Sequence, residues 1–381
     1  MNMSVVFSRL RYFLINILVG LGVALLLLAA IEISIRAFFP FPLTSMTTYQ
    51  SFADVTYFHK ANSLGYEVSP FGEFKPTRLE YDSEGFRKLD GGHSIKNESA
   101  VVLLGDSFVE ARQVPSSETV AGILENANLR YRFINAGCSG FTTTTEFLLF
   151  KHRLAKLKPK KLYLFFSFND YADNFWYFGG YYKQEDIFQV GVPRPEYVPA
   201  IYRQYFDQFE NWIFVNSAIY GYLKHAFRNK AEMSVWKEVA NSELFNDSPK
   251  NVNKSTDEMN SLERRILDFT HQGIFAMAEL AKEAGVELHV LIIPLPTQVN
   301  EHEWKVGKRI FGYAQNEIVP ARIYQDRLIQ FFRSNGIGYT DLLPVFVKES
   351  GVNRRMFLDF DGHFSSSGNR VIASILESQL Q

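Results

Sequence analysis

Four short polar stretches in this 381-residue chain carry side chains that together suffice for acyl transfer. Gly105-Asp106-Ser107 follows an aliphatic run from Val101 to Leu104. Gly137-Cys138-Ser139-Gly140, Ser167-Phe168-Asn169-Asp170 and Asp361-Gly362-His363-Phe364 come later in the chain. A serine hydroxyl attacks an ester carbonyl when a base takes its proton and donors stabilise the oxyanion that forms. Ser107 is the candidate nucleophile and His363 the candidate base, with a carboxylate needed to hold the imidazole in its working tautomer. The backbone N–H groups of Ser107 and Gly140 and the side-chain amide of Asn169 are the candidate oxyanion donors. Glycine suits the second of these places because a side chain there would crowd the substrate. Each stretch read alone has a plainer meaning. Asp106-Ser107 can cap a helix, and the residues after His363, Ser365-Ser366-Ser367-Gly368-Asn369, can start one. Asp106 and Asp170 are expected to be structural.

The surrounding pattern places these stretches at one edge of a sheet. Val101–Leu104, Tyr131–Asn135, Lys161–Phe166, Leu288–Ile293 and Ile337–Thr340 read as strands. Helical patterns at Glu118–Asn128, Thr145–Leu157, Ser261–Ala284, Tyr324–Ser334 and Ser367–Leu380 alternate with them. Such alternation predicts an α/β fold with a mostly parallel sheet covered on both faces. In open sheets of this kind ligands sit beyond the carboxyl ends of the strands. Each polar stretch falls at or beyond such an end.

The first residues predict a membrane anchor. Residues 1–12 are short and basic, with Arg9 and Arg11 and no acid. No residue from Phe13 to Ile31 is charged, and as a helix that run spans roughly 28 Å, about a bilayer core. The expected span is 13–35. Arg9 and Arg11 outweigh Arg36, which keeps the amino terminus inside and places the rest in an extracytoplasmic space, periplasmic or extracellular. A cleaved signal peptide is the alternative, but no clear small-residue cleavage site precedes Glu32 and the run is long for one. Residues 36–98 read as a connector with some structure of its own, and 99–381 as the catalytic domain. Within that domain the alternation fails over about 179–260, which is rich in proline, aromatics and polar runs. This insertion is a candidate lid, acceptor platform or surface decoration.

Composition narrows the partners. Forty Lys and Arg against 41 Asp and Glu give a net charge of −1, which does not suggest nucleic acid. A single cysteine, Cys138, excludes an intrachain disulfide framework. It reads as a small packed residue. His302-Glu303 has no second histidine at zinc-ligand spacing and reads as a solvated helix start. The chemistry requires no metal or organic cofactor. Oligomeric state is left open.

The order Gly105-Asp106-Ser107, Gly140, Asn169-Asp170 and Asp361-x-His363 resembles the SGNH/GDSL hydrolase superfamily over about residues 99–381. The family's serine, glycine, asparagine and histidine match Ser107, Gly140, Asn169 and His363. The resemblance implies a flavodoxin-like three-layer α/β/α fold and ester hydrolysis or acyl transfer. Val109 stands where the α/β-hydrolase elbow has its second glycine, so that elbow is not the match. Many family members place the triad aspartate three residues before the histidine, where this chain has Phe360. Asp361, two before, is the expected triad acid and Asp359, four before, the alternative. The Asp-x-His spacing resembles the membrane-linked polysaccharide O-acetyltransferase branch. It implies an acylated glycan or other ester as substrate. A lipase-type esterase and an inactive binding module are the other readings.

Overall fold

Five strands form one parallel sheet in this computed structural model, which describes residues 3–43, 48–52, 54–69, 72–90, 99–127, 130–174, 261–310 and 323–381, with 213, 216–224 and 318. Four shorter strands precede that sheet: β1 (Tyr49–Phe52), β2 (Thr56–His59), β3 (Leu64–Glu67) and β4 (Thr77–Glu80). The sheet itself contains β5 (Ser99–Gly105), β6 (Tyr131–Gly137), β7 (Lys161–Phe166), β8 (Glu287–Ile292) and β9 (Gly338–Asp341). Their spatial order is β6-β5-β7-β8-β9, all parallel. Counted along the chain this is the 2-1-3-4-5 order of a doubly wound, flavodoxin-like sheet, whose strand order reverses between its first and third strands. Here those are β5 and β7, so the crevice at their carboxyl ends is where Ser107 and Asn169 emerge.

Strand periodicity sorts the core into two layers. Val102, Leu104, Ile134, Ala136, Leu162, Leu164, Phe166, Val290 and Ile292 point to one face. They meet Phe147 and Leu148 of the helix Thr143–Leu149, Ile274 and Met277 of Ser261–Glu283, and Leu328 and Phe332 of Ile323–Asn335. Val101, Leu103, Phe133, Tyr163, Phe165 and Leu291 point to the other face, against Val120 and Leu124 of Val120–Asn126 and Val371, Ile372 and Leu376 of Ser366–Leu380. All six residues of β7 are buried, as a central strand with helices on both sides requires.

The segment before β5 packs into this core. The strands β1 and β2 form one antiparallel hairpin and β3 and β4 another. Tyr57, Phe58 and Phe86 are nearly inaccessible and join the layer that holds Phe141 and Phe147. An aromatic or aliphatic side chain buried this fully contributes about 2 kcal/mol.

At the amino terminus the helix Met3–Phe38 includes a stretch, Arg11–Phe38, long and apolar enough to cross a membrane, and its most apolar window is not buried against protein. Glu32 closes the uncharged run with a specific joint. Its carboxylate accepts the backbone N–H groups of Ala218 (2.7 Å) and Ile219 (2.9 Å), at the start of a helix over 218–224. Arg36 donates to Glu32 and to the Asn216 carbonyl. A carboxylate at a helix amino terminus satisfies free N–H groups and complements the dipole. The rest of the 179–260 insertion lies outside the described residues.

Candidate active site

The nucleophile candidate sits on a short, tightly held turn. The chain leaves β5 through Gly105, whose added Cβ would lie 2.5 Å from Val109 Cγ2, so only glycine fits the turn unchanged. Asp106 then caps the helix Ser107–Glu110, accepting from Phe108 N–H at 2.9 Å. Gly137, at the end of β6, lets this helix lie against the strand, since a Cβ there would be 2.1 Å from the Glu110 nitrogen. Two buried side chains hold the helix from behind. Asn135 donates to the Val109 carbonyl at 2.8 Å. Arg87 donates to the carbonyls of Glu110, Ala111 (2.6 Å) and Val114 (2.6 Å). A guanidinium presents five donors in a fixed fork, which suits several converging carbonyls.

Replacing Arg87 by alanine would leave those carbonyls unpaired and open a cavity. The expected loss of unfolding free energy is about 3 kcal/mol, read by urea titration of the full chain in detergent. A change under about 0.5 kcal/mol, the size of an ordinary surface substitution, would contradict this account of the turn.

His363 reaches Ser107 from a second hairpin-like turn. Phe357 and Phe364 form an antiparallel bridge, and Leu358 N–H donates to the His363 carbonyl at 2.8 Å. Ser365 caps the helix Ser366–Leu380 that follows. Gly362, at φ +82°, makes the reversal between the acid and the imidazole. His363 Nε2 lies 2.6 Å from Ser107 Oγ, and Nδ1 lies 2.5 Å from Asp361 Oδ1. Asp361 Oδ1 also accepts the His363 backbone N–H, and Gln113 reaches Oδ2 at 3.5 Å. The Phe108 ring lies beside the imidazole, with centroids 4.9 Å apart. Asp359 faces elsewhere. It pairs with Arg355 at 2.9 Å and accepts Lys305 N–H at 2.7 Å.

The electrostatics of this chain suit a base. Burial disfavours the imidazolium, but Asp361 outweighs burial and holds the His363 pKa above its ordinary value. Burial likewise works against the Asp361 carboxylate, and His363 and its hydrogen bonds outweigh it, so that pKa falls below its usual range. Such a pair favours a charged imidazolium against a charged carboxylate once a proton arrives.

The other two predicted residues line the same edge. Gly140 is the third residue of a β-turn closed by Phe141 N–H to the Cys138 carbonyl at 3.0 Å. Its φ of +77° is what a type II turn demands at that place. Asn169 opens a short helix after β7 and is exposed. Its amide donates to Asp106 at 3.2 Å and to Asp173 at 3.1 Å, while its oxygen accepts from Ser167. Donation to an oxyanion would replace one of those carboxylates. Asp173 is the more replaceable partner, because it is half-buried where Asp106 is inaccessible. Asp106 and Asp170 are inaccessible, and burial raises both.

Three further residues support the site, and sequence reasoning gave none of them that role. Glu73 accepts Phe360 N–H (2.7 Å) and Asp361 N–H (3.1 Å), fixing the acid's own backbone. Glu303 differs from the solvated residue expected. It is inaccessible and accepts Met356 N–H (2.8 Å) and Phe357 N–H (3.1 Å), where the chain enters the His363 turn. Glu110, fully buried beneath Ser107, accepts from Tyr81, Ser139 and Tyr49. Burial raises its pKa, but nearby positive charge and these hydrogen bonds outweigh it and bring it to about 2. The signal available in the sequence was slight: a single carboxylate in the apolar setting Phe108-Val109-Glu110-Ala111.

No family model matches this chain, and no curated protein matches it. Several solved structures are similar in outline. An acetyl xylan esterase, AlAXEase, is 11% identical, with 74% of this chain and 100% of that one covered at a TM-score of 0.38. A GDSL-like lipase from Bacteroides thetaiotaomicron is 15% identical over 76% of this chain and 91% of that one, at a TM-score of 0.37. A lipase/acylhydrolase from Enterococcus faecalis is 12% identical over 74% and 95%, at 0.38.

Proposed function

We propose that this chain is a membrane-anchored serine esterase or O-acyltransferase of the SGNH/GDSL type, working through an acyl-Ser107 intermediate. The observation that carries the reading is the hydrogen-bonded line from Ser107 Oγ through His363 to Asp361, set at the strand-order reversal of the sheet. In the first half-reaction Ser107 Oγ bonds to the acyl carbon as His363 Nε2 takes its proton. The oxyanion is met by the N–H groups of Ser107 and Gly140 and, once a carboxylate is released, the Asn169 amide. The ester C–O bond then breaks, and His363 returns the proton to the departing alcohol oxygen. In the second half-reaction the incoming hydroxyl gives its proton to His363 and bonds to the acyl carbon, and His363 passes that proton to Ser107 Oγ as the acyl–Oγ bond breaks. Water as acceptor gives a carboxylic acid; a sugar hydroxyl gives a new ester.

The substrate we favour is an acetyl ester of an exported or cell-envelope glycan. The supporting features are the apolar amino-terminal helix, the Arg9 and Arg11 bias that favours an outside domain, and the Asp361-x-His363 spacing. The test is turnover of an aryl acetate by the full chain in detergent, with and without a mixture of oligosaccharides. Release of aryl alcohol is expected, and acetylated sugar in the product identifies a transferase. Folded protein that releases neither aryl alcohol from acetate nor from longer acyl esters would contradict the reading and favour a binding module.

A further inference from the structure

The loop that carries Gly140 is gripped from both sides by groups that no step of the proposed reaction uses. From beneath, Glu110 accepts the Ser139 backbone N–H and hydroxyl, each at 2.6 Å. From the other side, Tyr57 Oη donates to the Ser139 carbonyl at 3.1 Å. That carbonyl and the Gly140 N–H belong to the same peptide unit. A trans peptide is planar, so its N–H points opposite to its C=O. Holding the Ser139 carbonyl therefore sets the direction of the Gly140 N–H.

Tyr57 is itself fixed. It lies in β2 and is 2% exposed, and its ring meets Phe141, the residue after Gly140, edge-on with centroids 5.3 Å apart. Tyr49 packs edge-on against the same ring at 6.1 Å and also reaches Glu110 through its hydroxyl. Tyr81 donates to the other oxygen of Glu110 at 2.6 Å. The hairpin segment before β5 thus reaches the Gly140 loop both directly and through Glu110.

We infer that Tyr57 is a positioning residue for acyl transfer: its hydroxyl orients the Ser139–Gly140 peptide so that the Gly140 N–H serves as an oxyanion donor. This rests on the acyl-Ser107 reading above. A donor aimed in advance costs no reorganisation when charge develops, which is why such groups act on kcat more than on ground-state binding. Without the Tyr57 hydroxyl, Glu110 still holds the Ser139 N–H and hydroxyl, but the Ser139–Gly140 peptide gains freedom to rotate.

The test uses the full chain in detergent and the isosteric variant Tyr57→Phe. Three quantities are measured: kcat and KM for an aryl acetate, and the inhibition constant of an alkylboronic acid. The boronic acid forms a tetrahedral adduct on the serine and reports oxyanion binding. Deleting one oxyanion donor outright costs about 10²–10³ in kcat, and misaiming one is expected to cost about tenfold. The expected result for Tyr57→Phe is therefore a kcat about tenfold lower, KM within about twofold, and boronate affinity weakened by the same factor as kcat/KM. A kcat within about twofold of the parent, or a lowered kcat with boronate affinity unchanged, overturns the proposal. If Tyr57→Phe does not fold, Tyr57→Leu, which also removes the hydroxyl, is judged by the same criteria. Ser107→Ala separates the two levels. If it keeps the activity, the acyl-serine reading fails; if it is inactive while Tyr57→Phe is normal, only the positioning role fails.

Discussion

Alanine at Ser107 is expected to lower aryl-acetate turnover by about 10⁵-fold to 10⁶-fold, the scale on which removal of a serine nucleophile acts. The hydroxyl bonds to His363 Nε2 at 2.6 Å, and the helix it opens is held by Asp106, Asn135 and Arg87. Its removal therefore deletes chemistry and leaves the scaffold. The unfolding midpoint of Ser107→Ala should stay within a few degrees of the parent. Steady-state kinetics and a thermal melt on the same preparation check both parts. Substantial residual turnover would mean that another group attacks the ester.

Asn in place of Asp361 is expected to lower kcat by roughly 10⁴-fold, because the amide presents an N–H to Nδ1 and stabilises the wrong tautomer. The same change at Asp359, which pairs with Arg355 and caps Lys305, should lower activity far less. The pH profile adds a signed test. His363 acts as base only when neutral, so kcat/KM rises with pH through its pKa. Asp361 raises that pKa, so the parent's rise should be centred above the ordinary histidine value of about 6.5. In Asp361→Asn the largest raising charge is gone, while burial and the smaller pull of Asp106 remain. The midpoint should then fall below the parent's in the residual activity. A midpoint that stayed put would show that another residue holds the imidazole.

The central sheet was legible in the sequence chiefly where its strands are buried on both faces and so read as nearly unbroken apolar runs, while the edge strand Gly338–Asp341, with no buried residue, was legible only by its place in the alternation. Lys161–Phe166 is the clearest, with every residue inaccessible or nearly so. The helix Ser261–Glu283 was legible for the opposite reason, its apolar stripe being sharply one-sided. The hairpins over residues 49–80 were not legible as such. Their strands are four residues each, too short for alternation to show, and they owe their order to packing on the sheet. Spacing alone left Asp361 and Asp359 open as partners of the imidazole. The two differ through Glu73 and Arg355, one nearly 290 residues away and the other four, and only the fold relates them. Glu303 was misread as solvated because nothing local to it shows that Met356 and Phe357 bring their N–H groups to it. Asn169 was read for its amide alone. The carboxylates of Asp106 and Asp173 that now engage it come from two different elements.

Covalent capture tests the central claim most directly. The folded full chain is treated with a fluorophosphonate, digested, and its peptides weighed. The result expected is one phosphonyl adduct, on the peptide that carries Ser107, lost in His363→Ala and in heat-denatured protein. Folded protein with no adduct, or with the adduct on a residue other than Ser107, would contradict the account.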